Sequence, residues 1–250
     1  MKNKLLVVGT MAYDAIETPF GKIDKILGGA ATYIGLSASR FSLDCGIVSV
    51  VGDDFKKKHL DLLEDSGIDL SGVEQVKGGQ TFFWRGKYHN DLNTRTTLET
   101  QLNVLENFNP IIPDHYKDAE IVMLGNLSPD VQLKALGQLT SKPKLIVLDT
   151  MNFWMEHFRE TLDQVISKVD VISINDEEAR QLTGEYSLIR AASQIHDMGP
   201  KYVIIKKGEH GALLFYNNEI FCAPALPLEE VFDPTGAGDS FAGGFTGYLT

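Results

Sequence analysis

The sequence predicts a single α/β domain on a mostly parallel sheet, and three observations carry that reading. Short apolar runs alternate with amphipathic stretches along most of the 250 residues. Some runs, such as Leu145-Ile146-Val147-Leu148, are apolar at every position, the pattern of a strand buried on both faces. No internal repeat and no low-complexity linker divides the chain.

The elements follow in order. Apolar runs that close on Gly, Asp, Asn or Lys predict strands over Lys4–Gly9, Gly46–Gly52, Glu120–Gly125, Lys144–Asp149, Asp170–Asn175 and Lys201–Lys207. Between them, amphipathic spacing predicts helices over Gly29–Phe41, Phe55–Asp65, Pro129–Thr140, Phe158–Lys168, Asp176–Thr183 and Tyr186–Met198. A last helix begins after Gly238, with Phe241, Phe245 and Tyr248-Leu249 spaced to cover one buried face. One segment breaks the alternation. From Gln80 to Asn103, aromatic and β-branched residues flank Asn90-Asp91-Leu92-Asn93, which predicts an antiparallel hairpin outside the parallel sheet. Such a hairpin can be a lid, a contact with a second copy of the chain, or an ordinary surface hairpin.

Composition excludes several classes. The chain carries 23 Lys+Arg against 34 Asp+Glu, a net charge of −11, with 43% hydrophobic residues. A chain of this size folds from roughly 40,000 Å² of extended surface to roughly 11,000 Å², which excludes disorder and a disulfide miniprotein. The acidic balance argues against nucleic acid as a partner, because counterion release needs clustered Lys and Arg. It leaves open a phosphorylated small molecule held by backbone amides and one or two lysines. Cys45 and Cys222 follow no ligand spacing and are expected as buried reduced thiols. No apolar run reaches membrane-spanning length, and Met1-Lys2-Asn3-Lys4 with its short apolar run lacks the longer core of a signal peptide. The expected place is the cytoplasm, with no membrane partner.

Open parallel sheets bind ligands at the carboxyl ends of their strands, and those ends are polar here. Asp14 follows the first strand, Asp53 and Asp54 the second, and Asn126 comes after Gly125; Asp149, Asn175 and Lys206-Lys207-Gly208 close the next three. Helix capping accounts for some of these, Asn175 first among them.

The densest pattern is Asp233-Pro234-Thr235-Gly236-Ala237-Gly238-Asp239, at the entry to the last helix. Free amides there, with the helix dipole, make an anion hole, and glycines let a ligand approach the backbone. Asp239 in the first turn is suited to take a proton from a hydroxyl while the hole stabilises charge on a transferring phosphoryl group. The structural alternative is a Gly-rich turn in which Asp239 merely favours the dipole. Rival motifs fail. Only Gly9 follows the first strand, so the dinucleotide fingerprint is absent, and Gly21-Lys22 and Gly86-Lys87 lack the Ser or Thr of a P-loop. No His-x-x-x-His pair and no Gly-x-Ser-x-Gly elbow occurs.

The stretch Asp233–Asp239 resembles the carboxyl-terminal signature of the ribokinase-like (PfkB-type) carbohydrate kinases. Val7–Asp14, Gly28-Gly29-Ala30-Ala31, Gly52-Asp53-Asp54, Asn175-Asp176-Glu177-Glu178 and Lys206–Gly211 are similar to further family motifs, so the likeness covers most of the chain. The resemblance implies a three-layer sandwich with a mostly parallel central sheet and a small β lid, formed by segments near 15–25 and 80–103 of a single kinase domain. It implies ATP and Mg²⁺ as co-substrate and cofactor, and a sugar or sugar-like polyol as acceptor, with a nucleoside, an inositol or a non-catalytic binding role as alternatives. It further implies Asp239 as base, with Gly236, Ala237 and Gly238 as the anion hole. Asp14, Gly28, Gly29 and Tyr33 would meet the acceptor. Lys206, Gly208, Gly211, Asp233 and Thr235 would meet the nucleotide, and Asn175 and Glu178 would hold the metal through water. Tyr33 stands where ribokinase-type members carry Asn, which argues against ribose. Similar kinases continue with helices that wall the adenine pocket, so the chain is expected to be shortened after Thr250.

Overall fold

The computed structural model describes residues 4–41 and 44–250; Met1–Asn3, part of the stretch examined for a signal peptide, lie outside it. Among the described residues, nine strands form the main sheet: β1 (Lys4–Val8), β4 (Asp44–Gly52), β5 (Ile68–Val76), β8 (Ile121–Leu124), β9 (Leu145–Leu148), β10 (Val171–Asn175), β11 (Tyr202–Lys206), β12 (Ala212–Tyr216) and β13 (Glu219–Ala223). Their order across the sheet is β13-β12-β11-β10-β9-β8-β1-β4-β5, parallel except for the antiparallel pairs β11–β12 and β12–β13. Parallel neighbours need helical crossovers. These are α1 (Ala30–Ala38), α2 (Lys57–Asp65), α3 (Pro129–Leu136), α4 (Asn152–His157), α5 (Arg159–Ile166), α6 (Asp176–Thr183) and α7 (Leu188–Met198), followed by α8 (Ala237–Leu249).

Strand alternation sends each sheet face to its own apolar layer. Leu6, Val8, Leu124, Leu148, Ile172 and Ile205 join one core; Leu5, Val7, Met123, Val147, Val171 and Ile204 join the other, beneath α1 and α8. The six expected strands and six expected helices are all present, with ends differing by a few residues. The ribokinase-like three-layer arrangement is the observed one.

The expected hairpin forms from β6 (Phe83–Tyr88) and β7 (Arg95–Gln101), antiparallel and outside the main sheet. It is half of a larger unit. With β2 (Ala12–Thr18) and β3 (Gly21–Gly28) it makes a four-stranded sheet of order β3-β2-β6-β7. Asp14 therefore lies within β2 rather than in a loop after the first strand.

Two further expectations need correction. The buried face of α8 is Ala242, Gly243, Thr246 and Gly247, whereas Phe241, Tyr248 and Leu249 are exposed. Backbone proximity is the reason. A Cβ on Gly243 would lie 2.3 Å from the Ile34 carbonyl oxygen, and one on Gly247 would lie 2.9 Å from Ala38 Cα, so α8 seats its small residues on α1. Ser37 Oγ fixes the register by donating to the Ser240 carbonyl at 2.7 Å. The second correction concerns thiols. Both cysteines are free and Cys45 is buried, but Cys222 is exposed because β13 is the uncovered edge strand of the sheet. Among the described residues, no helix is long and apolar enough to cross a membrane.

Candidate active site

The site forms where β2, α1, the carboxyl ends of β9–β11 and the entry to α8 meet. Asp14 is buried, and its carboxylate lies against Gly28, where a Cβ would stand 2.1 Å from Oδ2. Gly29 takes φ +95°, and a Cβ there would lie 2.4 Å from the Thr10 carbonyl oxygen. The glycine pair is thus required by chain packing around Asp14, and the Gly29 amide donates to that carboxylate. Burial raises Asp14 from 3.8 to about 7; the charges of Asp239 and Asp233 push the same way, and the Gly29 amide opposes them. The charge of Asp239 therefore reaches Asp14.

Tyr33, one turn into α1, bridges the end of β3 and the entry to α8. Its hydroxyl donates to the Leu27 carbonyl at 3.2 Å, and its ring covers Gly236, where a Cβ would lie 2.5 Å from the ring carbons. Burial raises the phenol, with Asp14, Asp233 and Asp239 adding to the effect.

Gly236 caps α8 in the left-handed region at φ 74°. Among the three amides expected in the anion hole, that of Ala237 already donates to the Pro234 carbonyl at 3.1 Å. The Gly236 and Gly238 amides stand at the helix entry, where the first turn lacks preceding carbonyl partners. Asp233 closes an Asx turn, accepting from the Thr235 amide at 2.9 Å, and the Thr235 hydroxyl donates to Tyr88 at 3.5 Å. Asp239 is the third residue of α8. Burial lifts its carboxyl well above the usual range, with the Asp149 carboxylate pushing the same way and Lys206 and Arg95 opposing.

Lys206 ends β11 with its ammonium 3.5 Å from Asp149 Oδ2. A Cβ on Gly238 would lie 3.1 Å from the same nitrogen, so this cation sits against the entry to α8. Burial opposes its charge, but Asp149, Glu178 and Asp239 outweigh that effect and raise it. Beyond Lys206 the chain turns: the Lys207 amide donates to the Gly211 carbonyl at 2.8 Å. Gly208 and Gly211 have φ +55° and +85°.

Asn175 is the cap of α6 and Glu178 its reciprocal partner. The Glu178 amide donates to Asn175 Oδ1 and the Asn175 amide donates to Glu178 Oε2, each at 2.8 Å. The capping reading of the pair is thus realised. Burial raises Glu178 to about 7, Lys206 opposes, and Asp149 adds to the rise. The charges of Lys206 and Asp149 both act on Glu178, and the described residues contain no cluster of three or more His, Cys, Asp or Glu. This donor set fits Mg²⁺ held through its water shell rather than in an all-protein cage.

The remaining polar strand ends serve the scaffold. Asp53 accepts from the Gly78 amide, and Asp54 accepts from the Thr81 amide and hydroxyl and from Lys25. Asn126 accepts from Trp154 Nε1 at 2.8 Å. Tyr88 and Arg95 were not singled out in the sequence, and Asp149 appeared there only as one of the polar strand ends at the ligand-binding edge. Arg95 opens β7, and its charge acts on Asp239, Glu178 and Tyr88. A cation directly after the Asn/Asp-rich turn was its one local signal.

The pattern of the pfkB family of carbohydrate kinases matches residues 2–250. The chain belongs to this family. A cytidine kinase of Thermococcus kodakarensis is 36% identical over 247 residues, covering 96% of this chain and 86% of that protein. A nucleoside kinase of Methanothermobacter thermautotrophicus is 27% identical over 270 residues, 96% of this chain and 81% of that one. In fold the chain is similar to Arabidopsis thaliana ribokinase complexed with ribose and ATP, with a TM-score of 0.76 at 20% identity over 100% of this chain and 86% of that one. As a pfkB kinase the chain is a phosphotransferase with an alcohol group as acceptor.

Proposed function

We propose that this pfkB kinase transfers the γ-phosphoryl group of ATP to a hydroxyl on the sugar of a nucleoside. The observation that carries the reading is Asp239 at the glycine-rich entry to α8, with the Lys206 ammonium beside Gly238 and Asp14 near enough to feel the Asp239 charge. Asp239 takes the acceptor hydroxyl proton as that oxygen bonds to the γ-phosphorus; the bond to the β–γ bridging oxygen breaks and ADP leaves. Gly236 and Gly238 amides, with Lys206, receive the charge on the transferring group. Asp14, seated on Gly28-Gly29, accepts from the other sugar hydroxyls, and Tyr33 sets the width of the pocket. Gly208, Gly211, Asp233 and Thr235 frame the nucleotide. Asn175, Glu178 and Asp149 would hold Mg²⁺ through water, where the ion supplies charge neutralisation for the phosphates.

The nucleoside acceptor is supported by the cytidine kinase and nucleoside kinase relatives. The four-stranded sheet acts as a lid that excludes water, the competing acceptor. Exposed Ile23 and Leu98 on that sheet support contact with a second copy of the chain. ATP use and two free thiols support a cytoplasmic place. The test is ADP release across cytidine, uridine, adenosine, ribose, hexoses, sugar phosphates and inositols. Turnover highest with a nucleoside supports the proposal; turnover with ribose or inositol but no nucleoside overturns the acceptor, and none with any polyol overturns the kinase reading.

A further inference from the structure

The β6–β7 hairpin belongs to the lid, yet its turn lies against the nucleotide side. That turn is fixed internally: the His89 amide donates to the Thr94 carbonyl at 2.9 Å, and Asp91 accepts from the Asn93 and Thr94 amides. From this rigid base Asn93 Nδ2 donates to Glu209 Oε2 at 2.8 Å. Its Oδ1 occupies the space above Gly208, where a Cβ would be 2.4 Å away. Further along the hairpin, Tyr88 accepts from Thr235. One hairpin therefore touches both segments assigned to the nucleotide, the 206–211 turn and the Asp233–Gly236 turn.

We propose that Asn93 is a positioning residue for the nucleotide, coupling the lid hairpin to the 207–211 turn. Glu209 is an acidic side chain on a turn that receives phosphates, and left unpaired it can swing toward them. Asn93 engages one of its oxygens and holds it on the outer side, while the Gly208 contact fixes how far the hairpin descends. Coupling is reciprocal, so nucleotide on the turn holds the hairpin down, and a displaced hairpin loosens the nucleotide. The inference rests on the reading of Lys206–Gly211 as the nucleotide turn.

The test is amide hydrogen exchange on the full chain with and without AMP-PNP and Mg²⁺, in the absence of acceptor. The expected result is slowed exchange over both 207–211 and 88–95. In Asn93→Ala the first protection persists, the second is lost, and AMP-PNP binds about 2- to 10-fold more weakly, the net value of one ordinary hydrogen bond. Glu209→Ala should lose the same 88–95 protection but bind AMP-PNP more tightly than Asn93→Ala, since no carboxylate is left to approach the phosphates, and the double variant should behave as Glu209→Ala. Both side chains are exposed, so neither change threatens folding. Protection of 207–211 without 88–95 in the unmodified protein overturns the coupling alone. Absence of protection at 207–211 overturns the nucleotide turn as well, and so does away with the inference.

Discussion

Replacing Asp14 by Asn should stabilise the protein at alkaline pH while impairing acceptor binding. In the folded chain Asp14 stands at about 7 against an ordinary 3.8, chiefly through burial. At 1.36 kcal/mol per pH unit, holding this carboxylate ionised costs roughly 4 kcal/mol at most. Relaxation and water entry recover part of that, which leaves about 1–3 kcal/mol. The sign follows from linkage: a carboxyl raised on folding favours the folded state at low pH and loses that contribution as pH rises through the folded value. Asn has the same shape, keeps an acceptor for the Gly29 amide and carries no charge. Its advantage should be full near pH 8, shrink toward pH 5 and vanish below about pH 4. For a chain of this length it corresponds to a Tm gain of roughly 2–10 °C at pH 8. The assay is thermal unfolding across that pH range, paired with acceptor binding at pH 8. A variant no more stable at pH 8, or equally stabilised at pH 4 and pH 8, would refute the account of Asp14 as a carboxylate held at a stability cost for its ligand.

Other consequences are sharp. Arg95→Ala removes a positive charge that opposes the raised state of Asp239, so the acid limb of kcat/KM should move to higher pH, while Arg95→Lys should leave it nearly in place; identical pH profiles for wild type and Ala would dismiss Arg95 from the site. Gly243→Ala pushes a methyl group into the Ile34 carbonyl and should cost about 1–3 kcal/mol in denaturant midpoint analysis, the range for overpacking. Gly244→Ala, on the same helix with only an ordinary contact to Ser37, should be neutral or slightly stabilising, and equal losses at the two positions would reject the close α1–α8 packing. Asp239→Asn removes a charge that raises Asp14, so any acid limb in acceptor binding should move to lower pH in that variant, as titration calorimetry can read.

The sequence disclosed what local chemistry decides. The alternation of strands and helices, the Asn175 cap and the turn into α8 depend on neighbours within a few residues. So does the β6–β7 hairpin, whose turn residues announce it. The missed features are decided across the fold. The strand β3 shows no buried run, because it is largely exposed at the edge of a small sheet, and β13, the exposed edge of the main sheet, stays inconspicuous for the same reason; β2 is buried, but Asp14 interrupts its apolar run. The buried face of α8 was misassigned because side-chain size, not hydrophobicity, determines it when two backbones approach. Asp149 looked like one more polar strand end beside Asp53 and Asn126. Only the third dimension separates it, by bringing Lys206 to its carboxylate while Asp53 meets the Gly78 amide and Asn126 meets Trp154. Arg95 lies 144 residues before Asp239 and reaches it only through the lid.

The central claim is that Asp239 acts as the base for transfer to a bound alcohol. Steady-state phosphorylation by Asp239→Asn, measured alongside calorimetric binding of AMP-PNP and of the acceptor, tests it most directly. The account predicts turnover reduced by roughly 10²–10⁴-fold with both ligands still bound near wild-type affinity. Turnover within a few-fold of wild type would contradict it.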